Sequence, residues 1–181
     1  VGKTTTAINL ACALTNFGHD TLLVDAHFST PHVAVQLGSP VLPNTLNKVL
    51  KGDIPLKDSA YLHPCGIKVV PASIHLDDTK KTSTVKLKDV LMDVVKEKAA
   101  NIVVLDLGNG SHEATVQGIR ACDELILVVN PGLSSLSDAV RTMHLAEEQH
   151  TKVIGVVVNK KTGSDAELTV KNIQSMLKIP V

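Results

Sequence analysis

Short apolar segments alternate along the chain with segments of helical periodicity. We predict β-strands at residues 21–24, 67–70, 102–105, 125–129 and 153–158. Apolar runs such as VVLD and ILVV lack polar alternation, which is typical of strands buried on both faces of a parallel sheet. We predict helices at residues 3–17, 44–51, 83–99, 135–149 and 165–178, and the start of a further strand at 179–181.

The alternation of strands and helices indicates βαβ units with right-handed crossovers. The 181 residues are enough to bury a full core, and they contain no internal repeat and no second domain. We therefore predict a single α/β domain over residues 1–181, with three layers, α/β/α, around a mainly parallel sheet.

The chain begins with Val1-Gly2-Lys3-Thr4-Thr5 at the predicted start of a helix. Gly-Lys-Thr in that position is the second half of a Walker A loop, G-x-x-x-x-G-K-[ST]. Glycine lets backbone N–H groups point at phosphate oxygens, Lys neutralises phosphate charge, and Thr offers a hydroxyl to Mg²⁺. The helix N-terminus attracts the same anion. We expect the rest of the loop and its strand to precede Val1, so the sequence is interpreted as a P-loop NTPase fragment that lacks its first strand and is incomplete at both ends.

Polar side chains directly follow four of the predicted strands. They are Asp25, Asp106, Asn130 and Asn159. Open parallel sheets bind ligands beyond the carboxyl ends of their strands, so we expect these side chains to share one edge with the Lys3 loop. Asp106 ends an apolar strand in the manner of a Walker B carboxylate, which holds the hydration shell of Mg²⁺.

Charge and aromatic content weigh against nucleic acid as the ligand. The chain has 18 Lys and Arg residues against 18 Asp and Glu residues, whereas nucleic-acid surfaces usually carry a basic excess. Aromatic residues make up only 2% of the chain, too few for a base-stacking platform. No apolar run approaches about 18 residues, the length that a membrane-spanning helix needs.

Several other side chains are interpreted as structural. The three cysteines are taken as buried thiols of a reducing compartment: Cys12, Cys65 and Cys122. Ser134 and Ser135 are predicted to cap the helix that follows them. The charge run that includes Lys80 and Lys81 is interpreted as a solvated face. The histidines have no ligand spacing, and we predict no transition-metal site.

Six segments together resemble one family. They are Gly2-Lys3-Thr4-Thr5, Val24-Asp25-Ala26, Val70-Pro71-Ala72, Leu105-Asp106 with Gly110, the stretch from Val129 to Asp138, and Val157-Val158-Asn159-Lys160. Their order and spacing are similar to those of the MinD/ParA family of deviant Walker A P-loop ATPases. The N-P-x-x-S-S-x-x-D stretch resembles the MinD branch, the septum-site regulators of cell division, more than the ParA branch. The resemblance implies an extra signature Lys, just before Val1, that reaches the partner's nucleotide in an ATP-sandwich dimer.

The resemblance also implies a MgATP site. Val1 and Gly2 would contribute loop backbone to the nucleotide, Lys3 would contact the β/γ-phosphates, Thr4 would ligate Mg²⁺, and Thr5 would approach the α-phosphate.

Three further residues acquire roles from the same resemblance. Asp25 would be the first acidic residue of switch I and, with Asp106, part of the Mg²⁺ site. Asn159 would recognise adenine, because a side-chain amide presents a donor and an acceptor to the N6/N7 edge. The alternative is that Asn159 is only a turn residue at the end of its strand.

Two departures from the family pattern affect catalysis. The family's D-x-D in switch I is here Asp25-Ala26-His27, so His27 stands where an acidic residue near the attacking water is usual. His27 is either a proton acceptor or a surface residue of a degenerate site. Switch II reads Asp106-Leu107-Gly108-Asn109-Gly110, in which Gly110 is retained for an N–H contact to the γ-phosphate but glycine replaces the family's proline.

The leading hypothesis is an ATP-dependent spatial regulator of the kind that places the cell-division site. It would bind MgATP, form an ATP-dependent homodimer, hydrolyse ATP slowly and change its affinity for a regulatory protein partner. We expect it in the cytoplasm and at the inner face of the cell membrane, with membrane contact only through segments outside this chain. The alternatives are a non-hydrolysing ATP-binding conformational or scaffold module and a ParA-like DNA-partition ATPase, the latter disfavoured by the zero net charge.

Overall fold

A computed structural model of the protein describes residues 1–75, 77–78 and 82–181. Helices span α1 (Lys3–Asn16), α2 (Val33–Gln36), α3 (Leu46–Lys51), α4 (Leu87–Lys96), α5 (Glu113–Ala121), α6 (Leu133–Glu148) and α7 (Val170–Leu177), with a 3₁₀ turn at Leu56–Ser59. Strands span β1 (Thr21–Ala26), β2 (Tyr61–Leu62), β3 (Lys68–Val70), β4 (Ile102–Leu107), β5 (Glu124–Val129) and β6 (Lys152–Val158).

The strands of the described ranges form two sheets. One has the order β2-β3-β1-β4, in which β1 runs parallel to both β3 and β4 while β2 is antiparallel to β3. The other is the parallel pair β5-β6. The prediction of an α/β fold with a mainly parallel sheet is therefore confirmed.

Apolar side chains cover both faces of β1. Leu22 and Val24 face one side, where they join a core cluster with residues of α3, α4 and α5. Leu23 faces the other side and packs with Ala7 and Ala11 of α1. Because successive residues of a strand point to opposite faces, an uninterrupted apolar strand serves two helical layers at once. The result is the predicted order of layers, helix, sheet and helix.

Strands β4 and β5 belong to different sheets, yet both line one groove of about 880 Å³. Within the described ranges, β4 pairs only with β1 and β5 only with β6. Val104 and Val128, which lie in the groove, are therefore only half-buried. Val1 and Lys3 also border the groove. The strand expected before Val1 stays a prediction.

Helix α4 is shorter than the predicted helix at 83–99. It begins at Leu87, and its inner face consists of Leu87, Leu91 and Val94, which lie about one helical turn apart. The apolar pattern of residues 83–99 also predicts Val85 and Val95 on that face, but each is 59% exposed. Val85 precedes the helix. Val95 directly follows the buried Val94, and because successive helical residues point in different directions, its side chain faces away from the core.

Helix α7 also starts later than predicted, at Val170 instead of residue 165. The Thr169 hydroxyl caps it by accepting a 3.1 Å hydrogen bond from the Asn172 N–H. The residues before the cap form a loop, because the Glu167 carboxylate accepts backbone N–H bonds from Thr162 and Gly163. The strand expected at 179–181 is absent from the described structure.

Helix α5, together with α2 and β2, was missed by the sequence analysis. Its sequence, EATVQGIRA, contains a central Gly118 and few apolar residues, so its helical pattern is weak. Gly118 is needed for packing, because a Cβ at this position would collide with the side chain of Leu107 on β4. Helix α5 is therefore stabilised by its contact with β4 and not by the helix preference of its own residues.

The predicted cap at Ser134 and Ser135 is wrong. Helix α6 begins at Leu133 with Gly132 in the cap position, and the Ser135 hydroxyl instead accepts a 3.2 Å hydrogen bond from the Asn130 N–H. Lys80 and Lys81, predicted to form part of a solvated face, lie outside the described residues. None of the helices in the described part of the chain is both long and apolar enough to cross a bilayer.

Candidate nucleotide site

The phosphate loop leads directly into helix α1. Gly2 adopts φ +101°, a left-handed conformation that favours glycine, and its carbonyl accepts the first helical hydrogen bond, from the Thr6 N–H at 2.9 Å. The N–H groups before Thr6 have no partner within the helix, which is the general condition of a helix N-terminus. This end of α1 therefore presents backbone donors and partial positive charge to an anion.

Two buried carboxylates lie beside this helix end. Asp25 of β1 and Asp106 of β4 are directly opposite each other in the parallel register, and their exposed fractions are 0% and 2%. The Thr4 hydroxyl donates a 2.7 Å hydrogen bond to Asp106 Oδ2. The predicted meeting of Thr4, Asp25 and Asp106 at one edge of the sheet is thus present in the structure.

Burial dominates the electrostatics of these acids. Desolvation raises the pKa of Asp25 to about 7, although hydrogen bonds from the backbone oppose the shift and the Asp106 charge adds to it. Desolvation also raises the pKa of Asp106, against the Thr4 bond and the Lys3 charge. Two buried carboxylates and a hydroxyl form a donor set that fits a hard divalent cation, which would favour their ionised forms.

The carboxylate of Asp25 also organises the loop after β1. Its Oδ1 accepts the His27 N–H at 3.1 Å, and its Oδ2 accepts the N–H groups of His32 and Val33 at 3.1 and 3.0 Å. These bonds fold residues 27–33 back over the strand end. Asp25 is consequently a structural centre of this loop as well as a candidate metal and catalytic residue.

Lys3 reaches across the site to the loop after β4. Its ammonium donates a hydrogen bond to the Asn109 side-chain oxygen. Desolvation lowers the pKa of Lys3, and the nearby Asp106 charge opposes that shift. The sequence analysis did not single out Asn109. Its position three residues after Asp106 was the only available signal.

His27 lies half-buried against the same loop. Its Nε2 is 3.0 Å from the Thr30 hydroxyl, and its ring centroid is 6.0 Å from that of His32. A Cβ added to Gly108 would lie only 2.8 Å from His27 Cδ2, so the imidazole fills the space beside the glycine. Desolvation, followed by the charge of Lys3, lowers the pKa of His27, which keeps the ring neutral near pH 7. His27 is therefore inside the site and not a free surface residue.

Asn159 contacts the phosphate loop itself. Its Nδ2 donates a 3.0 Å hydrogen bond to the Val1 carbonyl, and a Cβ on Gly2 would collide with the same amide nitrogen. Its backbone N–H is bound to the Val129 carbonyl at 2.7 Å, which joins the ends of β6 and β5. The amide is thus held beside Val1 and Gly2, with one of its donors engaged.

Three other predicted residues lie in the first turn of α1, in the loop after β4 and at the end of β5. The Thr5 hydroxyl is exposed and 3.4 Å from the Gln36 side-chain oxygen. Gly110 is exposed and has φ +80°, which suits glycine in the loop after β4. Asn130 at the end of β5 has a buried side-chain oxygen without a hydrogen-bond partner.

The sequence matches the CbiA family, described as the CobQ/CobB/MinD/ParA nucleotide binding domain, over residues 1–181. An uncharacterised ATP-binding protein of Methanocaldococcus jannaschii is 36% identical over 180 residues, which are 99% of this chain and 67% of the relative. The antiactivator FleN of Pseudomonas aeruginosa is 31% identical over 157 residues, which are 83% of this chain and 54% of FleN. The chain thus spans about half to two thirds of these relatives.

Solved structures show the same fold. The septum site-determining protein MinD of Pyrococcus horikoshii, complexed with Mg-ADP, superposes with a TM-score of 0.93 at 24% identity, over 99% of this chain and 74% of MinD. The MinC:MinD complex of Aquifex aeolicus matches with a TM-score of 0.84, also at 24% identity, over 99% and 74% of the two chains. By its fold and by the family match along its whole length, the chain belongs to the CobQ/CobB/MinD/ParA nucleotide binding domain family.

Proposed function

We propose that this chain is the nucleotide-binding part of an ATP-dependent regulator similar to MinD. The observation that carries the proposal is the meeting of the α1 N-terminus, Lys3 and Thr4 with the buried acid Asp106. Helix dipole, ammonium and hydroxyl are suited to phosphate oxygens and Mg²⁺, and membership of a nucleotide-binding family supports the same ligand.

In this proposal, Lys3 and the loop backbone from Val1 to Thr5 bind the phosphates. Thr4 and Asp106 would hold Mg²⁺, and Asp25, which is in register with Asp106, would contribute to the same site. The metal, when bound, neutralises phosphate charge and orients the terminal phosphate. Lys3 would exchange its bond to Asn109 for a phosphate oxygen, and Gly110 would offer its N–H to the γ-phosphate. Binding of ATP would therefore change the loop after β4.

The regulatory part of the proposal rests on the relatives. FleN is named an antiactivator, MinD a septum site-determining protein, and one MinD structure contains MinC. We propose by analogy an ATP-dependent homodimer with a regulatory protein partner, acting in the cytoplasm and at the membrane through segments outside this chain. The zero net charge favours a protein partner over DNA.

A second candidate function is a nucleotide-binding module that does not hydrolyse ATP. The position of His27 favours it, because a neutral imidazole packed on Gly108 replaces the carboxylate expected near the attacking water. Such a module would use ATP only to set its conformation or dimer state.

The first prediction concerns Lys3. Replacing it by alanine removes a charge-assisted bond to phosphate in a partly desolvated site, worth about 1.5–3 kcal/mol, so MgATP affinity should fall roughly 10- to 100-fold. Titration calorimetry of Lys3→Ala measures the change. Lys171→Ala, which removes an exposed lysine of α7, is the matched control and should bind as the parent chain does. Equal affinities of all three proteins would rule out Lys3 as a phosphate ligand.

The second prediction separates two roles of Asn159. If its amide reads the adenine edge, Asn159→Ala should weaken ATP binding by about 1–3 kcal/mol and narrow the preference for ATP over GTP. If the amide only supports the loop through Val1, both nucleotides should weaken equally. Competition binding with the two nucleotides gives the ratio. An unchanged ATP/GTP ratio contradicts the adenine role.

The third prediction concerns hydrolysis at His27. We expect the intact protein to bind MgATP but to turn it over very slowly. His27→Asp should raise the rate, because a carboxylate there would help to orient the attacking water. Phosphate release under saturating ATP is the measurement, with His27→Ala as the control for simple loss of the ring. A substantial rate of hydrolysis in the parent protein that falls in His27→Asp would contradict the interpretation of a degenerate site. If neither His27→Asp nor His27→Ala changes the rate, His27 takes no part in hydrolysis.

The fourth prediction follows from the pKa of Asp25, which burial raises to about 7 from an ordinary value of 3.8. Between these values the metal-free folded state holds a proton that the unfolded chain has released. The contribution of Asp25 to the free energy of unfolding is therefore fully present below about pH 4 and is lost as the pH rises through 7, by up to about 1.4 kcal/mol per pH unit. Urea unfolding across this range should show a flatter pH dependence for Asp25→Asn. Identical slopes for the two proteins would contradict the prediction.

A further inference from the structure

Cys12 and Cys65 form an unexpected pair away from the nucleotide site. They are 53 residues apart in sequence, but their Sγ atoms lie 3.0 Å apart. Cys12 is in the third turn of α1, and Cys65 is in the turn between β2 and β3. Both are free thiols and half-buried, so the expectation of buried cysteines is wrong for this pair.

His63 makes the two thiols chemically unequal. Its Nδ1 lies 3.0 Å from Cys65 Sγ and accepts a 3.3 Å hydrogen bond from the Cys65 N–H. A ring nitrogen that accepts from an N–H carries no proton, so it can also take the thiol proton of Cys65. Desolvation, and then Cys65, raises the pKa of the Cys12 thiol to about 11. Cys65 is therefore the nucleophile of the pair, and Cys12 is the thiol that reacts second.

The surrounding structure already holds the two thiols together. Gly66, with φ +89°, brings the β2–β3 turn so close to α1 that a Cβ there would lie 3.2 Å from Thr15 Cγ2. Both cysteines border the apolar cluster that joins α1 to β1 and β3. A disulfide bond is about 2.0 Å long, so the sulfur atoms need to approach by only about 1 Å.

We propose that Cys12 and Cys65 are a redox modification site that forms a reversible intramolecular disulfide. The oxidant is a small-molecule disulfide. Cys65 passes its proton to His63 and attacks one sulfur of the oxidant, which releases one small thiolate that takes the proton from His63. Cys12 then attacks Cys65 Sγ and expels the second small thiolate, which takes the Cys12 proton. Two protein thiols and one disulfide thus become one protein disulfide and two small thiols.

The position of the bond suggests its consequence. It would fasten α1, the helix that carries the phosphate loop, to the turn before β3. It would also join two residues that are 53 positions apart, which restricts the unfolded chain and stabilises the fold. Formation of this bond does not depend on which nucleotide the protein binds.

The test compares the reduced chain with the chain treated with glutathione disulfide in the presence of a chelator. We expect titratable thiols to fall from three to one, peptide mapping to show a Cys12–Cys65 cross-link, and the Tm to rise by about 10 °C, all reversed by dithiothreitol. Cys122→Ser is the matched control. It lacks the third thiol and should still form the cross-link.

Two outcomes would overturn the assignment. One is loss of thiols through glutathione adducts or intermolecular bonds without a Cys12–Cys65 peptide. The other is an unchanged loss of thiols and the same Tm shift in Cys12→Ala, which cannot form the bond. His63→Gln should slow the reaction several-fold at neutral pH but leave its final extent unchanged. An unaltered rate would remove His63 as the base.

Discussion

The hydrogen bond from the Thr4 hydroxyl to Asp106 is the contact on which the site depends. At 2.7 Å, it joins the first turn of α1 to the end of β4 in a place where both residues are buried. Burying a carboxylate is costly in free energy unless it is paired. This hydrogen bond and the nearby Lys3 charge reduce that cost for Asp106. Because Asp106 is in register with Asp25, the same contact also fixes the phosphate loop relative to the loop after β1.

The two departures from the family pattern prove to be one structural feature. His27 replaces an acidic residue after β1, Gly108 replaces a proline after β4, and the imidazole occupies the space that a side chain at residue 108 would need. A larger residue at either position would require the other loop to move. Lys3 and Asn109 add a second connection across the same gap. The two loops are therefore coupled through direct packing, and a ligand that draws Lys3 from Asn109 acts on both.

Elements with a strong local signal could be predicted from the sequence, and contacts across long separations could not. Asp25 and Asp106 were placed correctly because an apolar run stops at each of them. Helix α5 was missed because its Gly118 is selected by the neighbouring strand and not by helix preference. The partnership of Lys3 with Asn109 and the pairing of Cys12 with Cys65 depend on loop conformation and topology. Such contacts leave no periodic pattern of apolar and polar residues in the sequence.

The uneven burial of the strands has one physical cause, the number of neighbours. All six residues of β1, which has a partner strand on each side, are buried. Within the described part of the chain, β4 and β5 each have one partner, and they are partly exposed although both are rich in apolar residues. Unpaired strand edges leave backbone donors and acceptors without partners, and an apolar groove leaves surface that water covers unfavourably. A strand in the groove between β4 and β5 would remove both costs. Val1 and Lys3 border the same groove, so the phosphate loop lies beside the less buried strands, whereas Asp106 at the end of β4 is buried by its contacts with Thr4 and β1.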